Sequence, residues 1–196
     1  MAIIFVALAL FGCSSPELDL IPADGTILAF GDSLTVGVGV AKKNSYPVVL
    51  EELTGLKVIS SGVSGETTDQ GLIRLRLELD EIHPDLLILI EGGNDILRNK
   101  NKNETKANLA AMIELAQEKG IQVVLIGVPE KKLFSSSAPF YQELSDRYNL
   151  VFDDDLISDL ERSPSDKSDY IHFNKKGYNK MAVGVYEVLE ENGALK

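Results

Sequence analysis

The chain has 196 residues, 44% of them hydrophobic and 25% charged, enough for one domain with a full core and marginal for two. Its formal charge of −11 argues against a nucleic-acid partner, because phosphate binding needs a concentrated basic surface. The single cysteine excludes an intramolecular disulfide framework.

Residues 1–12, MAIIFVALALFG, carry no charged side chain and end at Cys13. This run is too short to span a bilayer and has the length of the apolar core of an export signal. Residues 14–25, SSPELDLIPADG, read as a polar, Pro-containing tether. The string LFGC at 10–13 resembles the lipobox of bacterial lipoproteins, in which the cysteine becomes the lipidated N-terminus. That resemblance implies a periplasmic or membrane-anchored lipoprotein attached through Cys13. A buried N-terminal strand with a core cysteine is the alternative. A single folded domain is expected over 26–196.

From Thr26 onward, short apolar runs alternate with amphipathic patterns. Strands are expected at 26–30, 57–61, 86–90, 122–126 and 150–152, with centres rich in Val, Ile and Leu, as strands buried on both faces should be. Ser45 and Pro47 open a helix over 48–53, and Gly55 stops it. Thr67 and Thr68 open a helical pattern that runs to about Asp80. Further helices are expected from Asn103 to Lys119, closed by Gly120, over 138–148, and over 175–191 behind Asn174. This alternation specifies βαβ units, hence an α/β fold with a parallel five-stranded sheet and helices on both faces. In such sheets, sites form at the carboxyl ends of the strands.

The residues just past the strands are therefore the ones to inspect. They are Gly31, Asp32 and Ser33; the SGVSG string at 61–65; the EGGND string at 91–95; and Gly127 to Pro129. The DYIH string at 169–172 precedes the last helix. A nucleophilic serine needs a base. The chain has two histidines, His83 and His172. His83 precedes the third strand and belongs at the amino end of the sheet, away from the strand exits. His172 lies in a loop that can fold back over those exits, and Asp169 can orient its ring toward Ser33. An oxyanion needs donors where charge develops, and three are available: the Ser33 N–H, the Gly62 N–H and the Asn94 amide. Asp32 and Asp95 are expected to brace their loops. No His-rich or paired-carboxylate spacing points to a metal, and no cofactor is implied.

GDSL at 31–34, the glycine block at Gly62, GGND at 92–95 and D-x-x-H at 169–172 together resemble the SGNH/GDSL hydrolases, in that family's order and over nearly the whole mature chain. The similarity is greatest to the bacterial group containing thioesterase I, lysophospholipase and arylesterase. The resemblance implies a three-layer α/β/α, flavodoxin-like fold. It implies Ser33 as nucleophile, His172 as base, Asp169 as its partner, and Gly62 and Asn94 as oxyanion donors.

The reading that follows is a serine esterase working on small-molecule carboxylic esters (aryl, lysophospholipid or thioesters) through an acyl-enzyme. Two rivals are a carbohydrate deacetylase of the same superfamily and an inactive binding lipoprotein. The absence of Trp favours acyl or aryl substrates over sugars. Specificity is expected in the loops at 97–103 and 129–140. In the second, Leu133 and Phe134 are expected to bind the acyl chain, with Phe140 near them. The alternative is that these apolar side chains pack on the 138–148 helix as core.

Overall fold

A computed structural model describes residues 16–130 and 136–196. Among these, five strands form one all-parallel sheet in the order β2-β1-β3-β4-β5: β1 Thr26–Gly31, β2 Lys57–Gly62, β3 Leu86–Ile90, β4 Gln122–Ile126 and β5 Val151–Asp153. The five expected strands are all present, within one residue at each end. Central β3, LLILI, is buried along its whole length. Each such side chain contributes roughly 1.5–3 kcal/mol when fully buried, which is why an unbroken apolar run marks an inner strand. The edge strand β2 is buried only at Val58.

Among the described residues, eight α-helices flank the sheet. They are α1 Ser33–Val36, α2 Tyr46–Thr54, α3 Thr68–Ile82, α4 Gly93–Leu97, α5 Lys102–Glu118, α6 Pro139–Tyr148, α7 Leu156–Arg162 and α8 Lys175–Glu191. On one face α2 packs on α8, which also meets α7; on the other α3 packs on α5, which also meets α6. The result is the three-layer α/β/α sandwich. The helices bury the stripes their sequences encode. On α8 these are Tyr178, Met181, Ala182, Val185 and Leu189, spaced three and four apart.

Local signals explain most boundaries. Thr67 and Gln70 form a reciprocal capping box at the start of α3. The Asn174 side chain accepts from the N–H groups of Lys176 and Gly177, and so starts α8. Two details differ from expectation. Ser45 stands before α2, but its hydroxyl donates to the Lys42 carbonyl rather than capping the helix. Helix α5 begins at Lys102 because Asn101, not Asn103, is the cap, its side chain accepting from the Asn103 N–H. Three short helices, α1, α4 and α7, have no counterpart among the expected elements.

The chain order reverses beside β1, whose neighbours are β2 and β3. Loops leaving β1 and β3 therefore diverge to opposite faces and open a crevice at their carboxyl ends. His83 terminates α3 in a left-handed conformation and lies exposed at the opposite, amino end of the sheet, beside Pro84 and Asp85. Asp85 there accepts from the Thr26 N–H at the start of β1.

Candidate active site

The crevice is a cleft of about 490 Å³ whose wall includes Ser33, Asn94, Gly65, Val128 and His172. Ser33 is the first residue of α1, set directly after β1. The turn is tight because Asp32 caps α1, its Oδ1 accepting from the Leu34 N–H at 3.0 Å. As the first helical residue, Ser33 has no intrahelical acceptor for its own N–H, which is left to face a ligand.

His172 reaches the cleft from a loop built by its own sequence. Lys167 and Phe173 pair as an antiparallel bridge, and the Ser168 N–H donates to the His172 carbonyl at 2.9 Å. Phe173 is buried and anchors the loop, while Asn174 donates to the carbonyls of Ser165 and Lys167. Buried Asp166 ties the loop to α8 through Lys176 and Lys180. Tyr178 of α8 donates to the Val38 carbonyl at 2.9 Å, which joins α8, the helix that the histidine loop leads into, to the segment after Ser33.

Within this frame three side chains form a relay. His172 Nε2 lies 3.0 Å from Ser33 Oγ, and His172 Nδ1 lies 2.8 Å from Asp169 Oδ2. An ionised carboxylate only accepts, so Nδ1 carries the proton and Nε2 is left as the acceptor for the serine hydroxyl. The other Asp169 oxygen accepts from the backbone N–H groups of Ile171 and His172, each at 2.8 Å. These backbone bonds first, and the imidazole second, hold the Asp169 carboxyl well below the usual carboxylate range.

Asn94 enters from α4. Gly92, which caps that helix, has φ +104°, and a Cβ there would come within 2.6 Å of the Tyr141 hydroxyl. Only glycine suits both demands. The Tyr141 hydroxyl itself donates to the Glu91 carbonyl at 2.6 Å and fixes the loop. Asn94 Nδ2 then donates one hydrogen to Asp32 Oδ2 at 3.0 Å, leaving the second for a ligand. Asp95 braces the same loop by accepting from the Thr68 N–H, the Thr68 hydroxyl and the Thr105 hydroxyl. Burial pushes the Asp32 carboxyl up to about 6, and the Leu34 N–H and His172 only partly offset it.

Gly62 is not brought to the cleft. It ends β2 opposite Gly31, and the Val63 N–H donates to the Gly31 carbonyl. Alternate residues of a strand face opposite edges, so the Gly62 N–H points off the free edge of the sheet. Gly62 instead lies under α1, where a Cβ would come within 2.5 Å of the Val36 nitrogen. The glycine of that block in the cleft wall is Gly65, three residues on, with its carbonyl held by Arg98 at 2.9 Å. The sequence offered a signal for it, since SGVSG contains Ser-Gly twice. Only the strand register decides which pair lies past the strand.

The specificity loops are partly in place. Leu97, at the end of α4, and Val128, Pro129 and Glu130 line the cleft. Leu133 and Phe134 lie outside the described residues. Phe140 belongs to the core: it is buried, with its ring centroid 4.6 Å from that of Tyr141. Among the described residues, no group of three or more His, Cys, Asp or Glu side chains is arranged to hold a metal ion.

Comparison with known proteins gives the relay its context. A Vibrio mimicus arylesterase is 34% identical over 128 residues, covering 63% of this chain and 62% of that protein. Esterase TesA of Pseudomonas aeruginosa is 32% identical over 128 residues, covering 62% of this chain and 64% of the relative. The match thus spans under two thirds of these relatives' length. The structure of the psychrotrophic esterase EstA from Pseudoalteromonas sp. has the same fold, with a TM-score of 0.76 at 22% identity over 86% of this chain and 98% of that one. The sequence model of the GDSL-like lipase/acylhydrolase family matches residues 29–180, from the end of β1 through the histidine loop into α8, and the chain belongs to that family.

Proposed function

We propose that the protein is a serine esterase that hydrolyses carboxylic esters through an acyl-enzyme. The observation that carries this reading is the relay itself, Ser33 Oγ to His172 Nε2 at 3.0 Å and His172 Nδ1 to Asp169 at 2.8 Å, opening on one cleft. Ser33 attacks the ester carbonyl as its proton passes to His172 Nε2, and Asp169 stabilises the imidazolium. The oxyanion is held by the Ser33 N–H, the free Asn94 amide hydrogen and the Gly65 N–H, the last in place of Gly62. His172 returns its proton to the departing alcohol or thiol, and water repeats the sequence to free the acid. The names of the relatives support esters of this kind as substrates.

A fluorophosphonate probe tests the reading. It should phosphonylate the protein once, on the peptide carrying Ser33, and abolish turnover of p-nitrophenyl butyrate. Labelling at another residue, or ester turnover that survives complete labelling, would assign the chemistry elsewhere.

The reading extends to export and lipid attachment at Cys13, supported by the uncharged apolar run before it and the polar tether after it. Residues 1–15 lie outside the described residues. In a bacterial host, radiolabelled palmitate should be incorporated into the wild-type chain and not into Cys13→Ser. Equal incorporation, or none in either, would remove the anchor from the reading.

A further inference from the structure

The cleft carries charged groups that the ester chemistry does not use. Glu161, in the last turn of α7, lines it on the histidine side, half-buried. No described residue forms a hydrogen bond or ion pair with it. Burial pushes its carboxyl up, and the attraction of Lys167 only partly opposes that. Lys167 is occupied elsewhere, its Nζ donating to the Tyr170 carbonyl at 2.6 Å. Of the other lining carboxylates, Glu130 is paired with Lys102 and Asp32 accepts from Asn94 and the Leu34 N–H. Among the described lining residues there is no lysine or arginine.

Tyr170, two residues before His172, lines the same cleft as Glu161. Its side chain is 96% exposed and so contributes nothing to the core. Its backbone is held, because the carbonyl accepts from Lys167 and the loop around it is pinned by Asp169. An aromatic face on a fixed loop, sharing a partly desolvated cleft with a carboxylate that no described residue pairs, is the chemistry that recognises a quaternary ammonium group.

We propose that Glu161 and Tyr170 form a leaving-group subsite that selects esters whose alcohol carries a quaternary ammonium. The proposal rests on the esterase reading and names the substrate class of that same site. When Ser33 attacks, His172 must protonate the leaving oxygen, so the alcohol portion lies toward His172 and its neighbours in the wall. A cation there would give Glu161 a close counter-charge that no described side chain supplies, Lys167 being bonded to the Tyr170 carbonyl, and would meet the Tyr170 ring in the same wall. The net charge of −11 adds long-range attraction for the same substrates.

The test compares charge at constant shape. Butyrylcholine and its neutral isostere 3,3-dimethylbutyl butyrate differ in one charge. Lauroyl lysophosphatidylcholine and its 3,3-dimethylbutyl phosphodiester analogue make the same comparison for a lipid headgroup. The wild-type protein should show a kcat/KM ratio, cationic over neutral, on the order of tenfold in at least one pair. The pair that shows it says whether a small choline ester or a lipid headgroup fits. Glu161→Gln should bring that ratio close to one and Tyr170→Ala should lower it several-fold. Glu187→Gln, an exposed charge removal on α8 roughly 18 Å along the helix from its start, should leave the ratio unchanged. Ratios near one in both pairs, or a ratio indifferent to Glu161→Gln, overturn the subsite and leave the esterase reading standing.

A binding measurement keeps the two failures apart. By saturation-transfer NMR, Ser33→Ala protein should bind choline several-fold more tightly than 3,3-dimethylbutanol, and Ser33→Ala/Glu161→Gln should bind them equally. Absence of turnover with every ester refutes the esterase reading, and the choline titration then decides the subsite by itself. Equal binding of the two alcohols by Ser33→Ala overturns it.

Discussion

His172→Ala is expected to lower kcat for p-nitrophenyl butyrate by about 10³-fold or more, while His83→Ala changes it by no more than a few fold. The asymmetry follows from the sheet. His172 Nε2 is 3.0 Å from Ser33 Oγ, whereas His83 ends α3 at the amino edge of the strands, at the far end of β1 from Ser33. Without an imidazole, the serine must lose its proton to solvent, and so must the water that attacks the acyl-enzyme, although p-nitrophenoxide leaves without help. Some rate should remain, because the oxyanion donors do not depend on the ring. The loss should not come from unfolding. In His172→Ala the backbone N–H groups of residues 171 and 172 still donate to Asp169, and buried Phe173 still anchors the loop. The thermal midpoint should therefore move little, and a fluorophosphonate should label Ser33 far more slowly. Equal losses of kcat from both substitutions would mean that the proton acceptor has been assigned to the wrong residue.

Asp32→Asn is expected to make the protein slower and more stable at once. Asp32 Oδ1 takes the Leu34 N–H, and Oδ2 takes the Asn94 amide. An asparagine that keeps the first bond turns its own NH₂ toward Asn94. Two donors then face each other, so the Asn94 amide must flip or swing away, and the oxyanion loses a donor. Loss of one such donor costs on the order of 10²–10³ in kcat. Asn94→Ala should cost a similar factor. If Asp32 acts through Asn94, the double variant should be scarcely slower than either single one. Multiplicative losses would show that Asp32 works by another route.

The stability effect has a definite sign. The folded carboxyl holds its proton up to about pH 6, against an ordinary value of 3.8. Below 3.8 both folded and unfolded chains are protonated at this group, and it has no effect. Between 3.8 and about 6 the folded state binds the extra proton, so stability falls as pH rises. Above that range both states are ionised, and the buried charge costs the fold roughly 3 kcal/mol. Asp32→Asn removes this cost. Its advantage in urea denaturation should be small at pH 4 and largest at pH 7–8. An advantage that does not grow between those pH values would locate the cost elsewhere.

The sequence by itself determined the sheet, the main helices and the relay residues. Each of those has a local cause. The run LLILI can only be a doubly buried strand, and the Asn174 cap starts α8 within one turn. Ser33 follows its strand at once, and the loop that carries Asp169 and His172 is closed by bonds between residues at most nine apart. What the tertiary structure alone decided has causes distant in the chain. Helix α7 holds too few residues to show a period, and it is placed by Leu156 packing against Gly184 of α8. The choice of Gly65 over Gly62 depends on the register of β2 against β1, in which Gly31 pairs with Gly62. A single-residue slip would reverse which N–H groups face the neighbouring strand, and no local signal in SGVSG sets that register. The bond from Asp32 to Asn94 joins residues 62 apart, and Glu161 and Tyr170 line one cleft only because α7 and the histidine loop close on it. Hydrophobic period, caps and turns act over a few residues and can be read along the chain. Register, burial of a lone charge and convergence on a cleft are properties of segments packed together, and they come into being only when the sheet does.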